Sequence, residues 1–168
     1  MRNVSFILLG AGAVLATSAA ADQPRAVPEP TVCSLSGAVC ATRATNLVTV
    51  WRKLPTGRKD LWRAQTRGTS FQVGDDGRSL VEVQPWANLV QPDAGPDTTM
   101  FTFFRPGHPP VRVKLGEMIR DVAALPRTVS HRRWARTFGY DQDGRFQVRT
   151  IENRHIIFDP RTGHPIAR

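Results

Sequence analysis

Ser70-Phe71-Gln72-Val73-Gly74-Asp75-Asp76-Gly77-Arg78-Ser79-Leu80-Val81-Glu82-Val83 decides the fold. Two β-rich runs meet at an Asp-Gly pair, which supplies the positive φ a tight hairpin turn demands. The same pattern returns at Arg136-Thr137-Phe138-Gly139-Tyr140-Asp141-Gln142-Asp143-Gly144-Arg145-Phe146-Gln147-Val148. Each copy leads into a further apolar run that ends in a Pro/Gly turn. Asp76, Gly77, Asp143 and Gly144 are therefore expected to be structural turn residues.

Outward from this unit, the spacing predicts strands at 47–54 and 59–66, joined by Pro55-Thr56-Gly57-Arg58. It predicts further strands at 70–73, 80–84, 100–105 and 111–115, and then at 131–140, 145–151, 154–158 and 164–167. Val111, Val113 and Leu115 alternate with Arg112 and Lys114, the period of a half-buried strand. Two segments break the rhythm. Pro85 to Asp97 reads as a long surface loop, carrying Pro85, Pro92, Gly95 and Pro96. Leu115, Met118, Ile119 and Val122 fall at helical spacing, so a short amphipathic helix is expected over 115–124, stopped by Pro126.

The turns align. Gly74-Asp75-Asp76-Gly77-Arg78, Asp141-Gln142-Asp143-Gly144-Arg145 and Phe158-Asp159-Pro160-Arg161-Thr162-Gly163 punctuate units of four short antiparallel strands. With the segment Ala124-Leu125-Pro126-Arg127-Thr128-Val129-Ser130 before Trp134, residues 46–165 resemble exported bacterial β-proteins with β-propeller-blade-like repeats. The resemblance implies two and a half blade-like units in an all-β, mainly antiparallel fold with one short helix. It implies no activity. A closed propeller needs at least about four blades. The sheets are therefore expected to pack as a sandwich or partial barrel, or to complete a ring by association. A monomer is the expected outcome, with Met118, Ile119 and Val122 closing one end of the core.

The chain's beginning points to export. Arg2 precedes an apolar run from Val4 to Ala16 and an Ala19-Ala20-Ala21 cleavage site, the pattern of a secretory signal peptide over residues 1–21. Residues 22–45 read as a Pro-rich tail and a disulfide loop, and 46–168 as a single β domain. Cys33 and Cys40 are expected to pair in the periplasm or outside the cell. Removal of residues 1–21 takes away one arginine, so the formal charge of +9 becomes +8. That balance suits an anionic envelope component or another periplasmic protein as partner, and equally a solvated arginine-rich surface.

Catalytic and metal patterns are missing from the sequence. His108, His131, His155 and His164 never fall at metal-ligand spacing, no G-x-S-x-G elbow exists, and no cofactor motif appears. Asp141-Gln142-Asp143-Gly144 fails the EF-hand template: with Gly144 at loop position 6, positions 1 and 12 are Gly139 and Thr150. The one binding pattern lies on the strand at 131–140. If alternation holds there, Arg132, Trp134, Arg136 and Tyr140 share a face that could stack on sugars or bases and grip anions. The same pattern also describes a half-buried sheet with snorkelling arginine stems. The expected function is an exported binding or structural module. A cell-envelope hydrolase and a carrier for an anionic ligand are the alternatives.

Overall fold

A computed structural model describes residues 31–166, so the expected signal peptide lies outside the described residues. The chain is all-β and mainly antiparallel. Strands β1 (Thr31–Cys33), β2 (Val39–Ala44), β3 (Leu47–Leu54) and β4 (Gly57–Gln65) form a first meander in that order. Strands β5 (Ser70–Val73), β6 (Leu80–Val83), β8 (Thr99–Phe104) and β9 (Val111–Lys114) form a second. Strands β11 (Ala135–Tyr140), β12 (Phe146–Thr150) and β13 (His155–Phe158) form a third, extended by a single bridge from Phe158 to Pro165. A small ribbon pairs β7 (Leu89–Val90) with β10 (Arg132–Arg133).

The unit count changes accordingly. Residues 31–44 are not a loop outside the β domain. They supply two strands that complete the first sheet, so the expected half unit is a full one. Proline density hid them: Pro24, Pro28 and Pro30 end just before β1 begins. The Cys33–Cys40 disulfide is formed, joining directly opposed residues of β1 and β2.

One turn design recurs. The Ser34 carbonyl accepts from Gly37 N–H, Gly74 from Gly77, Asp141 from Gly144 and Asp159 from Thr162, at 2.9–3.1 Å. Gly77 and Gly144 hold φ of 68° and 74°, the left-handed region glycine enters without penalty. Asp side chains brace these turns. Asp76 Oδ1 accepts from Arg78 N–H at 2.8 Å, and Asp141 Oδ1 accepts from Asp143 N–H and Arg145 N–H at 3.0 and 2.9 Å.

The second sheet lies between the other two, its first strand β5 beside β1 and β2 on one side and β11 on the other. It therefore has a neighbour on both faces, and alternation within its strands divides their side chains between two cores. Val81, Val83, Phe101, Phe103 and Val113 face the third sheet, where Phe101 meets Phe146 edge-on at 5.0 Å between ring centres. Leu80, Phe71 and Val73 face the first sheet and pack on Val39, Val48 and Val50.

The expected helix shrinks to one turn, α1 (Leu115–Met118). The N–H groups beyond it bond elsewhere: those of Arg120 and Asp121 donate to the Glu152 carboxylate, and those of Ala123 and Ala124 to Asp121 Oδ1. Its apolar side chains still do the expected job, since Leu115, Met118, Ile119 and Val122 are buried in the larger core. The expected loop at 85–97 likewise contains a strand, β7.

Candidate functional site

The expected arginine–aromatic face is not assembled. Trp134 is 0% exposed, stacked on Phe138 at 6.0 Å, with its Nε1–H donating to the Ala87 carbonyl at 2.9 Å. Two breaks end the alternation: Trp134 lies between β10 and β11, in neither strand, and a register irregularity between Ala135 and Thr137 leaves Arg136 outside while Ala135 stays inside. Tyr140 is also turned inward. Its hydroxyl donates to Ser79 Oγ at 2.9 Å, and burial pushes its pKa well above the ordinary tyrosine value. Arg132 donates to the Val122 carbonyl at 3.1 Å, whereas Arg136 stays exposed beside Arg149 and Arg154. The four residues thus point to different places.

Concavity lies elsewhere, in the wedge between the first and second sheets. The sheets meet where β5 touches β1 and β2, and the gap opens toward their outer strands, β4 and β9. One cross-strand row shows why it does not close: Phe71, Glu82, Thr102 and Arg112 are directly opposed on the four strands of the second sheet. Along that row the chemistry runs from apolar to charged. Phe71 belongs to the core, but Glu82, Thr102 and Arg112 have no hydrophobic partner to attract the first sheet.

The resulting groove holds about 520 Å³, with Gln65, Thr66 and Arg67 on one wall and Glu82, Thr102 and Arg112 on the other. It continues past Phe104 and Pro110 into a second hollow of about 390 Å³ bordered by Trp62, Arg63, Arg105 and His108. The Glu82 carboxylate is fixed. Thr66 Oγ1 donates to its Oε2 at 2.5 Å and itself accepts from Gly68 N–H at 3.1 Å. Gly68 makes the approach possible, because a Cβ there would stand 2.0 Å from Glu82 Oε1. Among the described residues the buried Arg105 Nε has no hydrogen-bond partner, an unmet donor beside the hollow.

In charge the lining is one carboxylate against Arg63, Arg67, Arg105 and Arg112. Such a set can accept hydroxyl donors at Glu82, donate to anions from the arginines, and offer Phe104 as an apolar surface. It does not bring together the paired carboxylates that glycoside hydrolysis uses. Among the described residues no group of three or more His, Cys, Asp or Glu is placed to hold a metal. The expected turn residues gather at one end of the molecule, where Arg161 Nη2 pairs with Asp76 Oδ2 at 3.3 Å and Arg145 with Asp143. There Asp75 accepts from Ser36, and the Ser34 and Ser36 hydroxyls hold its carboxyl below the usual range.

The sequence carries a signal for the groove that alternation alone does not pick out. Glu82 stands alone in Leu80-Val81-Glu82-Val83, and Thr102 alone in Met100-Phe101-Thr102-Phe103-Phe104. A single polar residue within a strand that has a neighbour on both faces marks a place where two sheets do not seal. The chain matches no protein-family model and no curated protein.

Proposed function

We propose that the protein is an exported, non-catalytic binding module whose groove between β4 and the second sheet holds an anionic, hydroxyl-rich ligand of the acidic-saccharide class. The observation that carries this reading is the Phe71-Glu82-Thr102-Arg112 row, which keeps the wedge open and lines it with a fixed acceptor and a cation. Arginines at both ends supply charge-assisted donors for carboxylates. The Arg105 Nε–H, without a partner among the described residues, gains one when an anion enters. Export rests on the leader pattern and fits the disulfide. Among the described residues no helix is long and apolar enough to cross a membrane.

Calorimetric titration of the mature chain with a linear oligogalacturonate and with its neutral methyl ester tests the reading. The acid should bind, weaken with added salt, and lose about tenfold or more in affinity in Arg112→Ala, the scale of a charge-assisted hydrogen bond. Equal affinity for acid and ester, or an unaffected Arg112→Ala variant, overturns it.

A further inference from the structure

The hairpin formed by β3 and β4 carries a second surface that the groove does not explain. Residues 52–60 hold Arg52, Lys53, Arg58 and Lys59 against a single acid, Asp60. Two of the chain's three lysines are in this stretch. The register places Arg52 opposite Lys59 and Lys53 opposite Arg58, two successive like-charge pairs. Like charges directly opposed across a strand pair destabilise it. Successive residues point to opposite faces, so one pair sits on each face of the ribbon.

Nothing else in the fold relieves this repulsion in full. Asp60 is shared between Arg58 at 3.3 Å and Arg63 at 3.5 Å, and Arg58 also lies over the Trp51 ring at 5.5 Å. Arg52 reaches the Asp76 carbonyl at 3.3 Å. Lys53 and Lys59 are exposed, and among the described residues neither pairs with a carboxylate. The second strand's run holds β3 as far as Arg52 and Lys53, whose N–H donates to the Ala38 carbonyl at 2.9 Å; beyond that rung the ribbon is two-stranded, and residues 52–54 and 57–61 are exposed. At its tip Leu54 is 43% exposed beside Pro55.

We infer that this ribbon is a docking element for an anionic phospholipid surface. Its charges lie on both faces of the ribbon near the tip, so a plane met end-on meets cations of both pairs, Lys53 of one and Lys59 of the other. Leu54 at the same end gives an apolar contact that suits the headgroup–acyl boundary and has no use against a hydrated polyanion. The tip at Gly57 stands about 16 Å along β4 from Trp62, where the hollow begins, at 3.3 Å per residue. Docking therefore leaves the groove open, and it does not depend on what the groove holds.

Flotation of the mature protein with vesicles, either phosphatidylcholine alone or phosphatidylcholine with one-third phosphatidylglycerol, is the test. Binding should require the anionic lipid and disappear at high salt, because surface charges are screened within a Debye length. Each cation near such a surface contributes about 1 kcal/mol, so Lys53→Glu/Lys59→Glu should lower the partition constant by at least ~25-fold. The same variant converts both like-charge pairs into opposite-charge pairs, so its melting temperature should hold or rise. Lost binding therefore cannot be ascribed to unfolding. The equal charge change Arg127→Glu/Arg133→Glu, away from the ribbon, should leave most of the binding in place. Three results overturn the inference: binding unchanged in the ribbon variant, equal loss in the control, or no vesicle binding at low salt alongside binding to duplex DNA.

Discussion

At the scale of single residues, Tyr140 gives the sharpest prediction. It is the chain's only tyrosine, half-buried with its hydroxyl turned inward onto Ser79, and desolvation raises its pKa in the fold. The unfolded chain releases this proton near the ordinary value of about 10, while the folded chain keeps it. Above that pH the unfolded state binds fewer protons, so stability falls as pH rises, by up to ~1.4 kcal/mol per unit from this group. Below it the group contributes no slope. Denaturant melts between neutral and strongly alkaline pH should show this decline, and tyrosinate absorbance should appear only as the protein unfolds. A Tyr140→Phe variant should lose that part of the slope. The alternation pattern groups Tyr140 with Arg136 on one face, because it runs straight across the irregularity at Ala135–Thr137. Gly77 and Gly144 were legible for a different reason: positive φ is a local demand that the sequence meets locally. Trp134 shows the limit. Its burial depends on the Ala87 carbonyl, which no local pattern announces.

At the scale of elements, strand interiors and their tight Asp-Gly turns were legible, and the longer connections at 85–97 and 115–124 were not. β3 and β5 lie where their β-branched and aromatic runs predict, because each pattern matches a face with a neighbouring sheet. The helix at 115–124 follows the opposite course. Its apolar spacing is genuine, but Glu152 and Asp121 capture the N–H groups that would have continued it. Side-chain competition of this kind is a tertiary event, invisible to periodicity. The first meander depends on β1, only three residues long, which the Cys33–Cys40 bridge ties to β2. Closing so small a loop contributes about 2–3 kcal/mol in the chain-entropy model. Cys33→Ser/Cys40→Ser should lose roughly that much stability in urea unfolding, still fold, and show faster amide exchange in β1 than in β3.

At the scale of the whole molecule, three meanders stack around β5, and each interface is set by which residues a strand turns toward it. Toward the third sheet the second presents phenylalanines and valines, and that interface seals. Toward the first it presents Leu80 and Phe71 near β5, then Glu82, Thr102 and Arg112 farther out, and that interface seals only in part. A binding groove is thus the outcome of polar substitution in one row of an otherwise closed stack. The composition could not place it, because arginine is spread over nearly every strand. The lone Glu82 and Thr102 could have, had each strand been read as having a neighbour on both faces. The most direct test is amide chemical-shift mapping of the mature protein during titration with oligogalacturonate. The account predicts shifts concentrated at Gln65–Gly68, Glu82–Gln84, Phe104 and Arg112, with the turns at 74–77 and 141–144 unmoved. Shifts centred on those turns or on the third sheet, or none at saturating ligand, would contradict it.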